Sequence, residues 1–267
     1  MKSKQTKQVY FGDSTPDSMS HTIVVETVKT ILAIAEKELK IKAKDMQVLD
    51  VGSGWGEYAF EFEKRVKSVT AVEPYKRLYA TAIKNKAKRK SKVQFYNNRI
   101  ENFETSKRFD LAISLTTIEH MPDAQESVNQ VYQLLKAPGM FYVTAPNKLW
   151  PFEPHYRLLF LNWLPLTLAN KYMRITGKGD SFDDSSYART YFGMNKLFNQ
   201  MPWNYKYWAP PSGDAIYIGL GSGAGIFSLM RKIGVWLVQR YTLFWIISKG
   251  FIVVAIKREL KQSKSKK

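Results

Sequence analysis

Cysteine is absent from all 267 residues. That excludes disulfides, zinc–thiolate centres, iron–sulfur clusters and thiolate nucleophiles. Histidine is scarce, with only His21, His120 and His155. Acids are also in short supply, 23 Asp and Glu against 41 Lys and Arg, for a formal charge of +18. Such a balance favours nucleic acid, an anionic membrane face or an acidic substrate as partner, without choosing among them. No uninterrupted apolar run reaches the ~18–20 residues of a spanning helix, and the polar start lacks the apolar core of a signal peptide. A cytoplasmic chain with peripheral membrane contact is the expectation.

What is present suffices for a sizeable core, with 45% hydrophobic and 14% aromatic residues. The central stretch is Val48-Leu49-Asp50-Val51-Gly52-Ser53-Gly54-Trp55-Gly56-Glu57-Tyr58. It reads as a strand, a tight glycine loop and the first turn of a helix. Glycines at alternate positions allow positive φ and leave no Cβ between main chain and a ligand, and the helix start offers free N–H groups. Before it, apolar residues recur at helical spacing over 21–39, with Ser20 as a possible cap. After it come a helix of about 57–66, a strand Ser68 to Val72 ending at Glu73-Pro74, and a helix of about 75–90.

The run Lys84 to Lys92 carries six basic residues in nine. It is either a solvated helix end or an anion-contacting patch. Strands Val93 to Tyr96, Phe109 to Leu115 and Met140 to Thr144, with a helix of about 124–135, continue the alternation. Five strands alternating with helices predict a parallel sheet with ligand sites outside the carboxyl ends of the strands. The glycine loop, Glu73, Asn98 and His120 all fall at that edge.

Beyond 146 the alternation breaks. Aromatic residues 149–156, a helix expected over Arg157 to Leu164, and a polar span Gly177 to Arg189 form an insertion, 146–190, over the site. A helix Phe192 to Gln200 and an aromatic strand Trp203 to Trp208 follow; Gly219 to Gly225 reads as a hinge. Residues 226–248 are mostly apolar, interrupted by Arg231-Lys232 and Gln239-Arg240, and read as an amphipathic helix that either packs on the domain or lies in a membrane interface. Phe251 to Ile256 closes the sheet. The division is therefore an arm and cap helix (1–45, with Tyr10 and Phe11 as an anchor), a ligand-binding core (46–145), the insertion, a C-terminal part (191–258) and a basic tail (259–267).

A glycine loop after a first strand, with an acid ending the second, also occurs in nicotinamide dehydrogenases. Their fingerprint is G-x-G-x-x-G, whereas here Asp50 precedes three glycines with single-residue gaps. The loop resembles the first motif of the class I methyltransferases that use S-adenosylmethionine, of the type 11 and 25 kind. Val69 to Pro74 resembles their second strand, Phe109 to Leu115 with Ile118-Glu119-His120-Met121-Pro122-Asp123 their fourth strand and its loop, Leu134 to Met140 the approach to their fifth, and Gly250 to Arg258 their last strand.

The resemblance implies a three-layer α/β fold on a Rossmann-like sheet, mostly parallel, with the last strand antiparallel. It implies that Gly52, Gly54 and Gly56 pass close to the methionine part, that Asp50 orders the loop and its amino group, and that Glu73 takes the ribose hydroxyls. Asn98 stands where the family often has an Asp for the adenine amine, Arg99 contributes backbone, and Leu115 lines the floor near the sulfonium. Methyl transfer of this kind needs no metal, and no metal is expected. A hydroxyl acceptor needs a base; His120 is the first candidate and His155 the second.

Methylation at cytosine C5 uses a thiolate and is excluded. After the fourth strand the chain reads Leu115-Thr116-Thr117-Ile118, without the Pro-Pro-aromatic motif that accompanies methylation of exocyclic base amines. A small-molecule, lipid-linked or glycan acceptor, methylated on oxygen near a membrane surface, is the leading expectation. RNA methylation through the basic surface is the alternative.

Overall fold

In the computed structural model the described residues are 21–153, 155–183, 186–211 and 226–258. Ser20, the aromatic anchor of the arm, the glycine hinge and the basic tail lie outside them. Strands β1 (Gln47–Val51), β2 (Ser68–Val72), β3 (Gln94–Tyr96), β4 (Phe109–Leu115), β5 (Leu135–Pro146), β8 (Trp203–Tyr207) and β9 (Gly250–Lys257) form one sheet in the order β3-β2-β1-β4-β5-β9-β8. The first five pair in parallel, and β9 runs antiparallel to both β5 and β8. A short hairpin, β6 (Phe152–Glu153) with β7 (Leu158–Leu159), stands apart.

Alternation along each strand separates two apolar layers, because successive side chains point to opposite faces. Val48, Leu111, Ile113, Met140, Tyr142, Ile252 and Val254 face helices α1 (His21–Leu39), α2 (Glu57–Glu63) and α3 (Lys76–Arg89). Leu49, Val51, Ala112, Phe141, Val143, Val253 and Ala255 face α4 (Ala124–Leu134) and α6 (Tyr191–Asn199). Sheets buried on both faces need such near-continuous apolar strands. Polar ties sit at the margins: Asp110 accepts from Gln47 N at 2.8 Å and from Lys136 Nζ at 2.9 Å, and Lys257 Nζ donates to the carbonyls of Tyr132 and Leu135, where α4 gives way to β5.

Two expectations past residue 146 require correction. Arg157 to Leu164 is no helix: Arg157 and Phe160 have φ of 56° and 58°, and the stretch folds as the hairpin strand β7 and a 3-10 turn, Leu161–Trp163. The helix starts only after Pro165, as α5 (Leu166–Ile175), and with Phe182 it closes a small separate core of Leu158, Leu161, Ala169 and Met173. Likewise 226–248 is not one helix. Helix α7 (Ile226–Arg240) ends at Tyr241, whose φ and ψ of −135° and 116° are extended, and a 3-10 segment, Thr242–Ile247, follows.

Trp245 packs that 3-10 segment into the main core, against Tyr207 of β8, and one buried amide ties its backbone to the end of β5. Asn147, 1% exposed, donates from Nδ2 to the carbonyls of Ile246 at 2.9 Å and Ser248 at 2.8 Å, and its Oδ1 accepts from Leu149 N at 3.0 Å. The insertion leaves the sheet at the carboxyl end of β5 and the α7 segment re-enters it at the start of β9, which pairs with that end. Both extra segments therefore rise from the edge where the glycine loop sits.

Candidate active site

The loop after β1 is built by main-chain bonds to its neighbours. Gly52 N and Ser53 N both donate to Val72 O, and Glu73 N donates to Tyr96 O, so the ends of β1, β2 and β3 are tied in series. Gly52, Gly54 and Gly56 adopt φ of 74°, 57° and 90°. At Gly52 the reason is also steric: a Cβ would lie 2.0 Å from Thr117 Cγ2, in the loop after β4. Gly52→Ala is therefore expected to cost about 2–4 kcal/mol, the sum of overpacking and left-handed strain. Urea unfolding would check this, and an unchanged midpoint would contradict it.

Glu73 is 3% exposed, and its oxygens accept from Gly54 N at 2.8 Å and Tyr75 N at 2.9 Å. Burial raises its pKa, and the two N–H donors work against that rise. A carboxylate has about four lone-pair sites, so two remain for hydroxyls. Asp50 is likewise buried, 4% exposed; burial, with the nearby Glu73 charge, pushes its pKa up to about 7. Asn98 sits in a local turn, its Oδ1 accepting from Arg99 N and its Nδ2 donating to Asn102 O; Arg99 is exposed and Leu115 half-buried at the end of β4.

These residues fit the S-adenosyl ligand that the resemblance implies. Asp50 Oδ2, Ser53 Oγ and Trp55 Nε1 are buried without a hydrogen-bond partner, so the loop holds polar atoms of both signs that the protein leaves unsatisfied. A Cβ built on Gly54 meets nothing within 4 Å, so ligand atoms can approach the backbone there.

The second part of the site assembles across the sheet edge. The 3-10 turn Ile118–His120 after β4 presents Glu119 and His120, and the insertion delivers His155. The two imidazoles meet edge to face, with centroids 5.4 Å apart. His155 Nδ1 lies 2.5 Å from Glu153 Oε1, and its Nε2 lies 3.9 Å from Glu119 Oε1. Burial alone would lower the His155 pKa, but the hydrogen bond to Glu153 and the charges of Glu153 and Glu119 outweigh it and raise the value. Glu119 is 1% exposed and neither of its oxygens has a hydrogen-bond partner; burial pushes it up to about 7, while His155 pulls the other way.

The structure thus brings together both predicted imidazoles, on segments 35 residues apart in sequence. Glu119 and Glu153 were missed as site residues. Their only sequence signal is that each lies within two residues of a histidine. Lys249, just ahead of β9 on the same edge, was also missed; burial pushes its ammonium down to about 8.

A family model described as "Methyltransferase domain" matches residues 42–178, just over half of the chain. Curated relatives include the ubiquinone biosynthesis O-methyltransferase of Rickettsia bellii, 29% identical over 104 residues, which covers 39% of this chain and 43% of that protein. The enzyme of that name from Rickettsia typhi is 29% identical over 123 residues, covering 45% of this chain and 50% of its own. The matches thus span half or less of these relatives' length. Among solved structures, the plantazolicin methyltransferase BpumL in complex with SAH aligns with a TM-score of 0.57 at 16% identity, covering 90% of this chain and 85% of that one. The YcgJ protein from Bacillus subtilis aligns at 0.53 and 17%, covering 90% and 100%. At such identities the structural likeness concerns the fold, and it agrees with the sheet order above. With that sheet, the glycine loop and the matched domain together, the chain belongs to the class I methyltransferases, the family that uses S-adenosylmethionine as cofactor.

Proposed function

We propose that this chain methylates an oxygen of a small, apolar or lipid-linked acceptor presented at a membrane surface. The observation that carries the proposal is the cluster of Glu119, His120 and His155 at the carboxyl edge of the sheet, together with exposed apolar side chains on the two segments that rise from that edge. On the insertion these are Leu159, Phe160, Trp163, Leu168 and Ile175; on the α7 segment they are Met230, Ile233, Trp236, Leu243 and Ile247. Exposed apolar side chains gathered on two neighbouring segments suit an interaction surface. Lys232 and Arg240 beside it are suited to anionic headgroups. Among the described residues no helix is long and apolar enough to cross a membrane, so contact would be interfacial.

S-adenosylmethionine, when bound, supplies a methyl group on a sulfonium, open to in-line displacement. In this reading Gly52, Gly54 and Gly56 admit its methionine part, Asp50 balances the amino group through the loop, Glu73 holds the ribose hydroxyls, Asn98 and Arg99 border the adenine, and Leu115 lies beneath the sulfur. His120 and His155 receive the acceptor side. The imidazole pair takes the hydroxyl proton as the new C–O bond forms, and Glu153 fixes the tautomer and orientation of His155.

Asp50 carries a consequence for pH. Its raised value means that it is largely protonated in the free protein at pH 6, and a cationic amino group arriving nearby would favour the ionised form. Cofactor binding near pH 6 is therefore expected to release up to about one proton per chain, and to release progressively less above pH 7 as Asp50 is already ionised. Calorimetry in two buffers of different ionisation enthalpy reads that number; equal heats at pH 6 would contradict the role given to Asp50.

The membrane part is tested by flotation with phosphatidylglycerol vesicles. The chain is expected to float with them, and Leu243→Asp combined with Ile247→Asp is expected to abolish flotation. Binding that survives both substitutions would remove the α7 segment from the account. RNA methylation draws less support, because within the basic run Arg89 is engaged with Glu57 at 3.0 Å and lies over the Phe60 ring.

A further inference from the structure

We infer that Glu119, His120 and His155 form a binding site for one divalent transition-metal ion, with zinc as the natural occupant. One donor atom from each of the three residues lies within 4.8 Å of the others. Two imidazoles and one carboxylate are a ligand set of catalytic zinc, which keeps its fourth position open. Neighbouring donors on a tetrahedral zinc stand about 3.4 Å apart, so the 3.9 Å between His155 Nε2 and Glu119 Oε1 is too long for a hydrogen bond yet needs little contraction to close on an ion.

Two further observations point to a ligand. Glu119 is 1% exposed and neither oxygen has a hydrogen-bond partner, a costly burial that His155 Nε2, 3.9 Å away, only partly offsets. His155 is also already posed as a ligand: its Nδ1 is held by the carboxylate of Glu153 at 2.5 Å, which turns Nε2 toward Glu119. A carboxylate behind the far nitrogen of a ligating histidine is the usual outer support of a zinc site. Methyl transfer involves no change of oxidation state, which suits a redox-inert ion.

This inference rests on the methyltransferase reading for its role, not for its existence. An acceptor hydroxyl at the open position would be acidified and would lose its proton to solvent, and its oxygen would bond the methyl carbon as the carbon–sulfur bond breaks. His120 and His155 would then be ligands, in place of the proton acceptors described above.

The test uses the full-length, tag-free chain, stripped with chelator and titrated with Zn²⁺ alone by calorimetry. One equivalent is expected to bind. Glu119→Gln and His155→Gln should each weaken binding by about 100-fold, Glu153→Gln by about tenfold, and His21→Ala, at an exposed position on α1, should leave it unchanged. Absence of stoichiometric binding, or binding indifferent to the cluster substitutions, would overturn the inference. Each protein is also titrated with S-adenosylmethionine. Intact cofactor binding shows that a variant is folded; cofactor binding without zinc binding removes the ion alone, and zinc binding without cofactor binding removes the methyltransferase role while the ion stands.

Discussion

Glu73→Ala is expected to weaken S-adenosylmethionine binding about 100-fold. The estimate rests on two hydrogen bonds from ribose hydroxyls to a buried charged acceptor, at roughly 1.5 kcal/mol each. Glu73 is suited to that task because its carboxylate is fixed before any ligand arrives: Gly54 N and Tyr75 N each hold one oxygen, and its position at the end of β2 is set by the bond from Glu73 N to Tyr96 O. Glu73→Gln keeps one acceptor oxygen and should lose about tenfold. Calorimetric titration measures both. Unchanged affinity in Glu73→Ala would move the ribose away from β2, and with it the whole placement of the cofactor.

His155→Ala is expected to lower turnover by about 10²–10⁴-fold while changing cofactor affinity by less than about twofold. The separation follows from geometry. His155 belongs to the insertion and touches the site through His120 and Glu119, on the acceptor side, whereas the groups assigned to the cofactor lie at the ends of β1 to β4 and on the loops after β1, β2 and β3. Glu153→Gln should act in the same direction and more weakly, since it disturbs only the orientation of the imidazole. Single-turnover kinetics with saturating cofactor reads the chemical step directly. A loss of cofactor affinity equal to the loss of turnover would place His155 in the cofactor pocket instead.

The sheet was readable from sequence because its strands carry the pattern that burial on both faces demands, and because Asp50, the three glycines and Glu73 sit where turn and register leave few alternatives. The segment after β5 was not. Leu158, Leu159, Leu161 and Leu164 have helical spacing, yet Arg157 and Phe160 turn the chain through left-handed φ, and their apolar neighbours pack on α5 instead. Helix α5 was overlooked because Pro165 reads as a break; proline is in fact well tolerated where a helix begins. On α7 and the turn after it, the question left open was burial or a membrane interface. The structure buries Trp245 while Leu243 and Ile247 remain 72% and 62% exposed.

The acceptor side shows where sequence reading stops. His120 could be placed from the loop after β4, but nothing local announces that His155, Glu153 and Glu119 meet. That contact depends on how the hairpin folds back over the sheet edge, through packing of Leu158 and Leu161 in a core that no local periodicity reveals. The residues assigned to the cofactor lie in short-range motifs, whereas those assigned to the acceptor meet only through tertiary contacts.

The most direct test of the account is transfer of a labelled methyl group. The chain is incubated with methyl-labelled S-adenosylmethionine and a membrane extract, and the products are divided into lipid, RNA and water-soluble fractions. The account predicts alkali-stable label in the lipid fraction, present with the native chain and absent with His155→Ala. Label confined to RNA, or lipid labelling that persists without His155, would contradict it.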